Sequence, residues 1–205
     1  MQRLLAAAAA GWIQAGLKLV YAILEPERWI YTPLREAGFM RMDDVITLRT
    51  QIGRVDGIAS RTAPARGLSF RPAGWSDLEA VEAIDASAFE EQWRFSMPVL
   101  VRAMGRAECF RVAELGGRPV GYCFATCHET EAHITRIAVH AACQRQGVGA
   151  ALLSDALSSL VLKWGVRLVT LNTQASNLAS RRLYRRFGFE TVQPDLRVLC
   201  RGLNP

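Results

Sequence analysis

The chain has 205 residues, half of them apolar, and a formal charge of +6 from 25 Lys and Arg against 19 Asp and Glu. That supplies enough apolar material for a sizeable core without covalent staples, in a chain long for one small domain. Lys18 and Lys163 are the only lysines, and no lysine-rich run or RNA-binding signature is present. An acidic small ligand such as a phosphorylated cofactor therefore ranks above nucleic acid as the partner of this arginine-borne charge.

In chain order, Leu4 to Ala10 is an apolar run too short to span a bilayer, and Arg3 alone stands where a leader would carry a basic region. It reads as a helix and not as a signal or membrane segment. Gly16, an apolar strand (Leu17 to Leu24), a second helix, Gly38-Phe39 and a strand from Val45 to Leu48 come next. The same order recurs from Leu152 to Arg201: helix, Gly165, strand Val166 to Thr173, helix, Gly188-Phe189, strand Leu196 to Cys200. Two glycines at element ends, with an adjacent phenylalanine, mark an internal repeat. Residues 1–50 are thus expected to be a truncated copy of the back half of residues 68–205. Residues 51–67, rich in Gly, Pro, Ser, Thr and Arg, are expected to be a linker.

Residues 68–205 begin afresh. Leu68 to Arg71 is a short strand, and Ser76 is the expected cap of a helix running to about Phe89. Glu91 to Met104 suggests another helix with a break at Pro98. Glu108 to Glu114 and Pro119 to Cys127 alternate as strands around a Gly116-Gly117 hairpin turn. Ala132 to Val139 is a further strand. A helix from about Gly147 to Leu162 carries Leu152, Leu153, Leu157 and Leu160 on one face. Antiparallel strands followed by a strand-helix-strand-helix-strand tail make an α+β fold. Five cysteines (Cys109, Cys123, Cys127, Cys143, Cys200), odd in number and without a CxxC pair, argue against disulfides and a zinc site. They point to a reducing, cytoplasmic setting with no metal.

The segment from Ile137 to Ala150 carries the chemistry. A strand ends at Val139, a polar loop comes after it, and a helix opens at the glycines. A helix start leaves backbone N–H groups without acceptors and adds partial positive charge. Gly147 and Gly149 let a diphosphate approach those amides, with Arg145 beside them. Ala150 after Gly149 excludes a Gly-Lys-Ser/Thr triphosphate loop, and no GxGxxG stands here to favour a dinucleotide.

The pattern Gln144-x-x-Gly147-x-Gly149 after an Ile-Ala-Val strand resembles the coenzyme A loop of the GCN5-related N-acetyltransferase superfamily. A second stretch, Asn177-Leu-Ala-Ser-Arg-Arg-Leu-Tyr184-Arg-Arg-Phe-Gly188-Phe189, resembles that family's Asn-x-x-Ala-x-x-Leu-Tyr-x-x-x-Gly-Phe pattern. The likeness spans about Leu68 to Leu203, and its profile is similar to protein N-terminal alanine acetyltransferases. It implies the family fold, a mixed and mostly antiparallel sheet flanked by helices, with two splayed parallel central strands. It implies acetyl-coenzyme A as the donor and a small-molecule amine or a peptide or protein N-terminus as the acceptor, with neither nucleic acid nor membrane as partner.

Carried over residue by residue, the likeness puts Ile137, Ala138, Val139, Gln144, Arg145, Gln146, Gly147, Val148, Gly149, Ala150, Asn177 and Tyr184 at the cofactor. The Val139 N–H is the expected oxyanion donor and Tyr184 the expected proton source for the leaving thiolate. Where some relatives carry a glutamate base, this chain has Asn172. The base then falls among Glu129, Glu131 and His133, with Glu131 favoured, or on a water-mediated route. Glu90, Trp93, Phe95 and His133 are the expected acceptor-side groups. Residues 1–50 lack the phosphate loop, with Leu34 standing where Tyr184 stands and Arg28 where Asn177 stands. They are expected to be a non-catalytic half repeat, packed on the second unit or offered to a second copy in a homodimer. Without a glutamate base, a non-catalytic acyl-coenzyme A sensor stays open as the alternative.

Overall fold

A computed structural model of the chain describes residues 2–25, 29–53 and 67–203. Contacts sort it into two compact units: residues 1–48 with 172–181 and 191–205, and residues 49–171 with 182–190. Among the described residues, no helix is long and apolar enough to cross a membrane.

The first unit contains α1 (Gln2–Gln14), β1 (Leu19–Leu24), α2 (Tyr31–Glu36) and most of β2 (Met40–Gln51). The end of β7 (Leu168–Gln174) and nearly all of β8 (Glu190–Gly202) complete it. Its strand order is β1-β8-β2-β7, so β2 lies between two strands from the far end of the sequence and β1 forms the edge. β1 and β8 are antiparallel from Leu19↔Gly202 to Leu24↔Arg197. Between β2 and β7, the Ala175 N–H donates to Asp44 O at 2.8 Å and the Thr47 hydroxyl to Asn172 Oδ1 at 3.0 Å. Arg197 and Arg41 both pair with Asp44. Leu34, Phe39 and Leu199 form the buried centre, with Trp12, Val20 and Tyr31 packed around it.

The elements of the first 51 residues run helix, strand, helix, strand, and four glycines at element ends have positive φ. Gly16 and Gly165 have φ of +72° and +63°, and Gly38 and Gly188 have +86° and +78°. Phe39 and Phe189 are both buried. Arg28 and most of the expected linker lie outside the described residues.

The second unit orders its strands as β7-β6-β5-β4-β3. β3 (Leu68–Pro72), β4 (Cys109–Leu115), β5 (Arg118–His128) and β6 (Glu131–Val139) are antiparallel neighbours. Gly116 and Gly117, with φ of +59° and +77°, close the two-residue hairpin that their sequence predicts. α3 (Leu78–Ala88) and α4 (Met97–Met104) cover one face through Val81, Ile84 and Leu100, which meet Phe110, Tyr122 and Phe124. Alternate residues of a strand face opposite ways. Gly121 accordingly turns to the other face, toward Leu152 of α5 (Val148–Trp164).

Two expectations are corrected. Ser76 is not a cap: a 3₁₀ turn (Trp75–Asp77) precedes α3, and Asp77 Oδ2 accepts the Gly74 N–H at 2.7 Å. The carboxylate reaches the free amide better because Arg71 anchors it at 2.7 Å. Nor does Pro98 break a helix, because it sits in the first turn of α4, where its missing N–H costs nothing.

Candidate active site

The centre of the second unit is a strand that loses its neighbour. β6 pairs with β7 in parallel only from Glu131↔Leu168 to Ile134↔Leu171. At that point the register of β6 on β5 shifts, from Ala125↔Ile134 to Phe124↔Arg136, leaving Thr135 as an extra residue. A bulge of this kind bends a strand and re-aims the residues beyond it. The His140 N–H donates to Val120 O at 2.8 Å. With Gly121↔Val139 and Cys123↔Ile137 in register, the alternation of an antiparallel ladder makes these two the non-bonded pairs. The N–H and C=O of Ile137 and Val139 therefore point away from β5, toward the edge that β7 has left. Ala138 between them is buried.

The chain then turns through a 3₁₀ turn (Ala141–Cys143) into α5. Gln144 reaches back, its Nε2 donating to Val139 O at 3.0 Å, and Gln146 Nε2 donates to Ala142 O at 3.0 Å. Both side chains brace the loop they belong to. The Val139 carbonyl is thereby occupied while its N–H is not used by Gln144. Arg145 is exposed with φ of +60°, a conformation rare for a side-chain-bearing residue. Gly147 has φ of +82°, and a Cβ built on it would have no atom within 4 Å. The first amide of the helix with an i→i−4 partner is Ala151, on Gly147 O at 3.0 Å. The Val148, Gly149 and Ala150 amides precede it, at the positive end of the helix dipole. Among the described residues no carbonyl accepts these amides, and amides left free at a side-chain-free entry suit a diphosphate, so these residues fit coenzyme A.

The strand end and the helix start are packed on each other. A Cβ on Gly149 would lie 3.6 Å from Val139 Cγ2 and 3.7 Å from Leu183 Cδ2. On Gly121 a Cβ would lie 3.0 Å from Ala138 O and 3.3 Å from Leu152 Cδ2, closer than side chains normally come. Gly121 therefore lets α5 settle on the end of β6, a role its place in an apolar run did not announce. Leu183 belongs to α6 (Leu178–Arg186), whose next residue, Tyr184, is only 4% exposed. The Tyr184 ring lies 5.8 Å from that of Phe189. In the first unit, Asn177 Oδ1 accepts the Ser180 N–H at 3.0 Å and caps α6. Asn172, whose Oδ1 accepts from Thr47, offers no basic atom.

On the face of α3 and α4 lie the residues expected on the acceptor side. Glu131 is exposed, and His133 is half-buried with Nδ1 2.9 Å from Thr170 Oγ1. Burial lowers the His133 pKa and favours the neutral ring, which can take up a proton. Glu129 is exposed at the turn before β6 with φ of +53°. Glu90 is exposed and accepts from Gln92 at 2.6 Å, while Trp93 and Phe95 are half-buried in the segment between α3 and α4.

That segment is held by a polar cluster that sequence reasoning missed. Asp85, fully buried in α3, accepts from Arg136 Nε and Nη2, both at 2.8 Å, and from the Phe95 N–H at 2.7 Å. The Tyr122 hydroxyl donates to it as well. Burial raises the Tyr122 phenol well above its usual range, and Asp85 adds to this, so the hydroxyl keeps its proton. Arg136 also donates to Trp93 O at 2.6 Å. Its guanidinium lies between two rings, 3.5 Å from the Phe89 centroid and 4.0 Å from that of Phe95. Asp85, on the apolar face of its helix with Val81, Ile84 and Ala88, was the available signal.

Comparison with known proteins identifies the family of the chain. Residues 78–189 match the Acetyltransferase (GNAT) family. An uncharacterized N-acetyltransferase of Methanocaldococcus jannaschii is 34% identical over 113 residues, which are 55% of this chain and 72% of that protein. The structure of a GCN5-related N-acetyltransferase from Sphaerobacter thermophilus is similar at TM-score 0.69 and 19% identity. The match covers 96% of this chain but 66% of that one, so this chain spans about two thirds of its length. The ribosomal-protein-S18-alanine N-acetyltransferase from Escherichia coli is similar at TM-score 0.58 and 24% identity, over 67% of this chain and 95% of its own. The chain belongs to the Acetyltransferase (GNAT) family and is an acetyltransferase.

Proposed function

We propose that the chain moves the acetyl group of acetyl-coenzyme A onto a primary amine, of a small molecule or a peptide N-terminus, by direct attack. The observation that carries this reading is one continuous stretch. The outward-facing backbone of Ile137 and Val139 leads into the Val148, Gly149 and Ala150 amides, which precede the first i→i−4 bond of α5.

When bound, acetyl-coenzyme A supplies an activated thioester. The loop amides from Gly147 to Ala150, with Arg145 beside them, hold its diphosphate. The outward-facing N–H and C=O of Ile137 pair with the pantetheine amides as a neighbouring strand would. The Val139 N–H donates to the acetyl oxygen as negative charge develops there. The Tyr184 phenol holds the proton that the departing sulfur requires. On the acceptor side Glu131, or neutral His133, takes the proton of the incoming ammonium directly or through water. Glu90, Trp93 and Phe95 orient the acceptor. Residues 1–50 act as a non-catalytic half repeat, in keeping with Leu34 at the place of Tyr184.

Titration calorimetry with acetyl-coenzyme A, followed by a coenzyme A-release assay over amines and N-terminal peptides, tests the reading. Saturable binding with release in the presence of at least one amine is expected. Absence of binding would overturn it. Asn172, which has no basic atom, favours a second reading: a sensor that binds acyl-coenzyme A without turnover. Binding with no release for any acceptor would select it.

A further inference from the structure

The sheet face that carries His133 also bears a cavity of about 210 Å³ between β5, β6 and α4. Phe95, Val99 and Phe124 supply its apolar lining, Thr135 stands at its β6 side, and Arg102 and Arg106 contribute charge. An apolar cavity of roughly 150 Å³ accommodates benzene. There is room here for one side group of an acceptor molecule.

Its position ties it to the reacting end of β6. Thr135 is the bulge residue, next to Ile134, where the pairing with β7 ends. Thr126 also lines the cavity and pairs with His133, and paired residues present their side chains on one face. A group seated here lies on the same face as the candidate bases.

Its wall is preorganised. Phe95 is fixed by its N–H on buried Asp85, by the Arg136 guanidinium over its ring, and by Phe124 at a centroid distance of 6.3 Å. Nothing in that arrangement must be reordered when a ligand enters, which lowers the cost of binding.

Charge sets the ligand class. Arg71, Arg111, Arg136 and Arg197 each pair with a carboxylate. Arg102 and Arg106 are exposed, and among the described residues no carboxylate pairs with either. They are four residues apart in a continuing helical turn, in which the Arg106 and Ala107 amides both donate to Ala103 O. Like charges at that spacing repel. An anion between them removes the repulsion and gains charge-assisted hydrogen bonds.

We propose that this cavity seats the apolar side group of an acceptor amine whose carboxylate lies against Arg102 and Arg106. The inference rests on the acetyl-transfer reading and adds the acceptor's chemical class. The carboxylate belongs either to a small amino acid-like molecule or to an acidic side chain near a peptide N-terminus.

Matched pairs separate the sources: 4-(aminomethyl)benzoate against its amide, and short peptides with Glu against Gln at the second position. In the native protein kcat/KM is expected to be about tenfold or more higher for the acid of at least one pair. The Arg102→Glu, Arg106→Glu double variant should abolish or invert that preference with KM for acetyl-coenzyme A unchanged. Equal kcat/KM for acid and amide in both pairs, or a preference that survives the double variant, overturns the proposal. The same pairs are titrated into the protein at equilibrium, so that an inactive protein still answers. Acid-selective, arginine-dependent binding without turnover would retract acetyl transfer and keep the subsite. Turnover without selectivity would do the reverse, and neither turnover nor selective binding overturns both.

Discussion

Arg136 grips Asp85 through two parallel hydrogen bonds, and the two side chains are 11% and 0% exposed. The pair joins α3 to β6 beside the bulge and, through Trp93 O and the Phe95 N–H, fixes the segment between α3 and α4. A buried pair is costly to break from one side, because the remaining charge is stranded. Arg136→Ala should lower unfolding stability by about 3–5 kcal/mol in urea titrations. Arg136→Lys keeps the charge but loses the planar fork. It should fold, raise KM for the acceptor, and leave the affinity for acetyl-coenzyme A near native. A loss confined to stability, with unchanged acceptor KM, would make the cluster purely structural.

Tyr184→Phe removes a hydroxyl from a buried side chain and little volume. If Tyr184 protonates the leaving sulfur, kcat should fall about a hundredfold or more while calorimetric affinity for acetyl-coenzyme A stays within a few-fold. Full activity in the variant would remove Tyr184 from the chemistry.

Gly147 and Gly149 should respond differently to alanine. At Gly147 the left-handed backbone, with φ of +82°, penalises any Cβ by about 1–2 kcal/mol although no atom obstructs it. Relaxation of that turn would swing the loop amides, so Gly147→Ala is expected to weaken acetyl-coenzyme A binding about tenfold or more. Gly149→Ala adds a Cβ at ordinary contact distances, 3.6 Å and 3.7 Å, and should bind nearly as the native chain does. Equal effects in calorimetry would contradict the assignment of strain to Gly147.

His133 makes stability depend on pH. Its folded pKa lies below the usual 6.5 because burial disfavours the imidazolium. Between the folded and unfolded values the unfolded chain binds more protons, so stability falls as pH drops through that window. Well above 6.5 both states are neutral at this residue and the contribution is flat. Urea midpoints of the native protein should fall below pH 6.5 more than those of His133→Gln. Parallel pH curves for the two would rule out His133 as the source.

Deleting residues 1–53 should abolish cooperative thermal unfolding. β2 lies between β7 and β8, and its Thr47 and Asp44 bond Asn172 and the Ala175 amide. Without it, rows of backbone groups on β7 and β8 lose their partners. A soluble, cooperatively melting truncation would contradict this.

Much of the fold was legible in sequence because backbone chemistry announces itself locally. Gly116-Gly117 fixed a hairpin, and the Gln144 to Gly149 pattern located the strand-to-helix turn. Tyr184 could be singled out only through its spacing from Asn177. Less visible were features that depend on distant partners. Asp85 is an ordinary helical acid until β6 brings Arg136 to it from 51 residues away. Thr135 is an ordinary strand residue until the registers on its two sides disagree. The position of β2 was equally hidden, since periodicity identifies a strand but not its neighbours.

That position constrains how the molecule is made. β2 ends at Gln51 and its neighbour β7 begins at Leu168, so β2 is synthesised well before the strand it pairs with and waits as an unmatched ribbon. Such a ribbon invites intermolecular pairing when several chains are translated close together. Chaperone capture of the segment that carries β2 should therefore raise the yield of folded chain.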